Sequence, residues 1–334
     1  MKQILEQEKF NQKHFYGRKR VTALILERII NNEDILIKSR NGLGKTTLIE
    51  AVFFKLKETI KFNRVYIDLS RLTSDKEFLI ELINELKIVV GKNTLAKIGI
   101  SNNSELNEAE NDIFALEKLA AQVIELLVML NDKKTSTIIA IDNFQFISSN
   151  LIEQVFNHIN FLGDSSKKVT FIFSGTMNPI PTIITDAVII EEISPKNHKK
   201  YVKKVLSDCG KTITKESLNK IIDWSNCETY CVKRVCTKLL THQKKKIRSN
   251  DIDEIFEQII AEHEVVFELI RGLLSNYQWK LLRVIAKEHK ANQVTSSEFI
   301  KRYALNAPSS VKTALNALIE KELIFRTNNI YQVT

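Results

Sequence analysis

Ser39-Arg40-Asn41-Gly42-Leu43-Gly44-Lys45-Thr46-Thr47 lies between the short apolar run Ile35-Leu36-Ile37 and a stretch in which Leu48, Ile49, Val52, Phe53 and Leu56 recur at helical spacing. A glycine-rich turn joining a strand to a helix is the pattern of a phosphate loop. Backbone N–H groups from Asn41 to Thr47 would surround the anion, and Gly42 and Gly44 let the backbone approach with no Cβ in the way. Lys45 would reach the β and γ phosphates, Thr46 would ligate Mg²⁺, and the positive end of the following helix would face the charge. The stretch therefore implies ATP or GTP as ligand. It departs from the pattern G-x-x-x-x-G-K-[ST] at one place, where Ser39 stands for the first glycine. A left-handed backbone there would cost a serine roughly 1 kcal/mol.

A second motif follows about a hundred residues later. Thr137-Ile138-Ile139-Ala140-Ile141-Asp142 is an apolar run ending in a carboxylate. Apolar on both faces, it suits a central parallel strand, with Asp142 at its C-terminal end beside the phosphate loop to hold Mg²⁺. ATPases of this kind place a glutamate next, as general base for the attacking water; here the residue is Asn143. An amide orients water but cannot take its proton, and a missing general base costs on the order of 10² to 10⁴ in rate. The sequence thus predicts slow hydrolysis.

Strands are expected at residues 35–38, 65–69, 137–142, 170–174 and 188–190, with helical patterns between most of them, which implies a parallel five-stranded sheet covered on both faces. A helix over 112–130 presents Ile113, Leu116, Leu119, Ala120, Val123, Ile124, Leu127 and Leu130 on one stripe. The polar segment 95–111 reads as a loop. At Ser194-Pro195 the strand pattern ends and helices take over to about residue 270. Thereafter Ser275 with Gln278, and Thr295 with Glu298, read as capping boxes. A third helix runs from Pro308 through Leu318, and Leu323–Arg326, a turn at 327–329 and Ile330–Val333 read as a β-hairpin. Three helices and a terminal hairpin make a winged helix. The expected organisation is an ATPase core over 1–193, an all-α lid over 194–272 and a winged helix over 273–334.

Composition agrees with a globular chain: 334 residues, 44% hydrophobic and 27% charged, with no stretch of 18 uninterrupted apolar residues. The charged N-terminus does not resemble a signal peptide, so a cytoplasmic protein without membrane association is expected. Cys209, Cys227, Cys231 and Cys236 lack Cys-x-x-Cys spacing and are expected to be buried helical thiols. The net charge is +9, and from Ser275 onward nine Lys or Arg face four Glu. That excess raises duplex DNA as a partner, with Lys301, Arg302, Lys312 and Arg326 as phosphate contacts. The third helix offers Ser309, Ser310, Lys312, Thr313 and Asn316 and no arginine for guanine, so contact would be nonspecific.

Together these motifs resemble the archaeal-type ATPases of the STAND group within the AAA+ class, in a bacterial branch. Five features carry the resemblance: Phe15-Tyr16-Gly17-Arg18, the phosphate loop, Asp142-Asn143-Phe144-Gln145, Phe173-Ser174-Gly175-Thr176, and Trp224 followed by Thr229-Tyr230-Cys231-Val232. The resemblance implies that Tyr16, Gly17 and Arg18 pack near the adenine and that Ser174 and Thr176 act as polar sensors close to the γ phosphate. The glutamate often found after the first box is absent at Val21, a Gly-x-Pro lid motif is replaced by Cys227-Glu228-Thr229-Tyr230, and no arginine follows in Met177-Asn178-Pro179. Turnover-assisting positions are thus altered while Lys45, Thr46 and Asp142 remain. The implied function is a nucleotide-dependent switch using ATP or ADP and Mg²⁺, signalling through lid and winged helix to a protein partner, with ATP-dependent homo-oligomers in prospect. The alternative is an initiator-like DNA-binding ATPase.

Overall fold

Successive residues of the central strands feed opposite hydrophobic layers, as the two-residue period of an extended chain requires. In the computed structural model, which describes residues 12–91, 112–148, 151, 168–176 and 186–333, Ile139, Ile141, Phe171 and Phe173 point into one core and Ile138, Ala140 and Ile172 into the other. The strands β1 (Ile35–Lys38), β2 (Phe62–Asp68), β3 (Ser136–Asp142), β4 (Val169–Gly175) and β5 (Ala187–Ile189) form one parallel sheet in the order β2-β3-β4-β1-β5. Helices α3 (Asp75–Val90) and α4 (Asp112–Asn131) supply the first layer; α1 (Lys19–Ile30) and α2 (Lys45–Thr59) supply the second. Burial of both faces explains why β1, β3 and β4 read as apolar runs.

The molecule divides into two units: residues 1–39 with 43–192, and residues 40–42 with 193–334. In the second, Ser194 caps α5 (Pro195–Asp208) by accepting from the Asn197 N–H, with proline in the first turn, where its missing N–H costs nothing. Thr214 caps α6 (Lys215–Ser225) in the same way. These helices pack with α7 (Thr229–Thr241) and α8 (Ser249–Glu262), and the rings of Trp224 and Phe256 stack at 4.2 Å. Two short parallel strands, β6 (Thr212–Ile213) and β7 (Lys246–Ile247), tie the helical connections together.

After α9 (Glu264–Gly272), a separate core gathers Leu281, Ile285, Phe299, Val311, Leu315, Leu318 and Ile324. It is enclosed by α10 (Asn276–Glu288), α11 (Ser297–Arg302), α12 (Pro308–Glu320) and a sheet in the order β8-β10-β9, comprising β8 (Ala291–Asn292), β9 (Ile324–Thr327) and β10 (Ile330–Val333). The hairpin turn holds Asn328 and Asn329 at φ 49 and 64, left-handed angles that asparagine tolerates. The Ser275–Gln278 capping box is present. The second expected box is not at Thr295: the cap is Ser296, whose hydroxyl accepts from the Phe299 N–H and so turns Phe299 into the core.

The cysteine expectation needs correction. Cys236 is buried, but Cys209 is exposed, Cys227 and Cys231 are half-buried, and Cys227 lies outside any helix at φ 60. Asn226, left-handed at φ 46, ends α6 and turns the chain there. Among the described residues no group of three or more His, Cys, Asp or Glu is placed to hold a metal ion, and no helix is long and apolar enough to cross a membrane. The segment 95–111 and the Met177–Pro179 stretch lie outside the described residues.

Candidate nucleotide site

Parallel strands bring their C-terminal ends to one edge of the sheet, and that edge gathers the polar residues here. Asp68 ends β2 in direct register with Asp142 at the end of β3, and Ser174 and Gly175 end β4 beside Ile37 and Lys38. The phosphate loop leaves β1 at the same edge and enters α2 through Gly44.

Gly42 and Gly44 have φ of 79 and 88, the left-handed region in which a Cβ is strained. Ser39, by contrast, is not among the residues of positive φ; its N–H bonds to the Gly175 carbonyl at 3.3 Å. The serine in place of the first glycine therefore carries no left-handed strain, because the chain still extends in the β1 direction there. Asn41 and Gly42 are exposed, Leu43 is buried at 3% and Thr47 is half-buried. Lys45 is 6% exposed, its Nζ donating to the Ser39 carbonyl at 3.5 Å. Gly17, at φ 71, directs the chain into α1, and the buried Arg18 donates to the Leu43 carbonyl at 3.0 Å and to the Glu191 carbonyl. Arg18 is thus a brace under the loop; Tyr16 beside it is half-buried.

Asp142 is the centre of the arrangement. It is fully buried and accepts from Thr46 Oγ1 at 2.5 Å, from the Tyr66 hydroxyl and the Asn143 N–H at 3.0 Å each, and from Ser174 Oγ. Four donors compensate the desolvation of a carboxylate that would otherwise be costly to bury. Burial, followed by the Asp142 charge and hydrogen bond, raises the Tyr66 hydroxyl well above the ordinary tyrosine range, so Tyr66 serves as a fixed donor. Thr176 Oγ1 is buried without a hydrogen-bond partner among the described residues. An orphaned hydroxyl at the end of β4, together with the Thr46 and Asp142 oxygens, suits an oxygen-rich ligand such as a phosphate with Mg²⁺.

Asn143 sits at φ 59, and its side-chain amide donates to Asp68 Oδ1 at 2.8 Å. Asp68 also caps the turn Leu69–Arg71 by accepting from Ser70 N–H and Oγ. Sequence reading missed both Asp68 and Tyr66. The available signal was that Val65-Tyr66-Ile67-Asp68 is, like β3, an apolar run closed by a carboxylate.

Comparison with known proteins agrees with this geometry. Residues 35–182 match the family model described as an AAA domain, and residues 265–334 match that of a probable winged helix domain. The chain carries a P-loop AAA domain followed by a winged helix domain. Among solved structures it is similar to the Walker-type ATPase PABY2304 of Pyrococcus abyssi, with a TM-score of 0.67, 15% identity and coverage of 97% of this chain and 95% of that one. It is also similar to the Aeropyrum pernix ORC1 protein solved in complex with DNA, with a TM-score of 0.55, 11% identity and coverage of 96% and 89%. At these identities the likeness concerns the fold alone. No curated protein matches the chain.

The four expected DNA contacts fall in the winged helix domain and are all exposed. Arg302 pairs with Glu298 on its own helix at 2.9 Å, and Arg326 bonds to Asn329 and lies 5.7 Å from the Tyr331 ring. Lys301 and Lys312 stand on different helices, α11 and α12.

Proposed function

We propose that this protein is a nucleotide-dependent switch that binds ATP with Mg²⁺ in its AAA domain and hydrolyses it slowly. The supporting observation is the contrast at the end of β3. Asp142 is buried under four donors that include Thr46, whereas the next position presents an amide already engaged with Asp68. Lys45 and the loop N–H groups bind the β and γ phosphates; Thr46 and Asp142 hold the ion, which supplies charge neutralisation when bound. Ser174 orients Asp142, and Thr176 offers its free hydroxyl to the γ phosphate or its water. Tyr16, Gly17 and Arg18 shape the adenine side of the site.

Asn143 in this reading positions water without accepting its proton, and Asp68 is the neighbouring carboxylate that remains to do so. A base displaced onto the adjacent strand and held by three hydrogen bonds to Ser70 and Asn143 gives weak general-base catalysis. A γ phosphate retained for long periods suits a switch, because the ligand need only bind two arrangements of the chain with different affinity. Output through the helical and winged helix domains to a protein partner follows as the first reading. The experiment is steady-state hydrolysis compared with ATP affinity: tight binding with turnover well below one per second supports a switch, and fast turnover by the isolated chain refutes it.

A second reading, DNA as the partner, is favoured by one specific observation: the winged helix domain carries an excess of nine basic over four acidic residues. The similar ORC1 protein was solved with DNA bound.

A further inference from the structure

One face of α10 carries a row that neither the nucleotide site nor the expected DNA contacts use. Lys280, Arg283 and Lys287 follow at intervals of three and four residues, so they share a face with neighbours roughly 5–6 Å apart. They border a groove of 490 Å³ whose other walls include Arg271, Trp279 and Tyr303. All of these residues lie within the second unit.

The groove divides its cations between fixed and free. Arg271 donates to the Leu274 carbonyl at 3.2 Å and to Asn276 Oδ1 at 2.6 Å, and its guanidinium lies 5.5 Å from the Trp279 ring centre. Lys280 donates to the Ala304 carbonyl, and the Tyr303 hydroxyl donates to Glu288, the acidic residue nearest the row on its own helix. Arg283 and Lys287 are exposed, and no hydrogen bond or ion pair from the described residues engages either. On α7, by contrast, Arg234 and Lys238 both pair with Glu262. Two unpaired cations one helical turn apart, beside a groove walled by an indole and a phenol, are complementary to a strand that offers phosphates at regular spacing and flat bases between them.

We propose that this face of α10 is a binding surface for single-stranded nucleic acid, with Arg283 and Lys287 on successive phosphates and a base in the groove against Trp279 and Tyr303. Aromatic walls favour an unpaired strand over a duplex, whose bases are stacked and out of reach. Contact is independent of sequence, since the row presents charge and ring faces and no bidentate reader of a base edge. The surface is distinct from Lys301, Arg302, Lys312 and Arg326, and it does not depend on the nucleotide reading.

The test is fluorescence anisotropy of the full chain, without ATP, against a labelled strand of about 20 nucleotides and the matching duplex, from about 50 mM salt upward. The proposal expects the single strand to bind more tightly than the duplex. Arg283→Gln with Lys287→Gln should weaken that binding at least tenfold and reduce the salt slope by about 1.4, the value for two phosphate contacts on a single strand. Trp279→Ala should weaken it by about tenfold. Lys312→Gln with Arg326→Gln should leave it nearly unchanged. Because Arg283 and Lys287 are exposed, the paired variant should melt with the parent even if the Trp279 variant folds poorly. No binding at the lowest salt, preference for duplex, or loss confined to the Lys312 and Arg326 variant overturns the proposal. None of these results bears on ATP binding.

Discussion

The Asn143 side-chain amide donates to Asp68 Oδ1 at 2.8 Å, joining the residue after Asp142 to the carboxylate that ends the adjacent strand. Amide and carboxylate are a stable pair; two carboxylates at that distance would repel and raise the pKa of one of them.

This pairing governs what happens when a base is restored. Asn143→Glu should raise steady-state hydrolysis by at least about tenfold, a conservative share of a general base's contribution. Adding Asp68→Asn should raise it further, because the exchanged pair keeps its hydrogen bond and loses the repulsion. A rate no higher in the double variant than in the parent, at equal ATP affinity, would place the limit on turnover elsewhere.

Asp68→Asn alone tests the displaced base. The residual hydrolysis should fall about tenfold or more, with ATP affinity changed little, since Asp68 is not among the groups on Asp142. An unchanged rate in a quenched-flow or steady-state assay would make Asp68 only the cap of the Leu69–Arg71 turn.

Thr176→Val separates folding from ligand contact. Its hydroxyl is buried and unpaired, so removing it should leave the melting temperature of the free protein unchanged or higher. Hydrolysis, or affinity for ATP over ADP, should drop. A lower melting temperature with unchanged nucleotide behaviour would contradict the assignment.

Asp251 gives a pH-dependent prediction in the helical part. It is 3% exposed, accepts from Lys244 at 2.5 Å and from the Arg248 N–H at 2.7 Å at the start of α8, and these bonds hold its carboxyl below the usual range. A depressed carboxylate contributes stability that is complete above its unfolded pKa of about 4 and disappears as pH falls through the folded value. Asp251→Ala should therefore cost about 1 kcal/mol near neutrality, mostly as the lost cap. Denaturant titrations should show the gap between parent and variant narrowing only below about pH 4; a constant gap would contradict the linkage.

The sequence made the central strands legible because they are buried on both faces and carry no charge before their last residue. β2 was harder: as an edge strand of the sheet it begins with Phe62, Asn63 and Arg64, half-buried or exposed, and its start went unread. β6, β7 and β8 are two residues each, too short for a period to show. Lys45, Thr46 and Asp142 were legible as candidate site residues because local motifs single them out. Asp68 and Tyr66 were not, since their role arises from strand register across more than seventy residues of chain. The free Arg283 and Lys287 on α10 were likewise hidden, because which cations lack partners among the described residues is decided by packing.

The central claim, that the loop from Ser39 to Thr47 binds the phosphates of ATP, is tested most directly by calorimetry of ATP with Mg²⁺ on the parent and on Lys45→Ala. The parent should bind at micromolar nucleotide and the variant should show no binding heat while keeping the parent's circular dichroism. Equal binding by both proteins would contradict it.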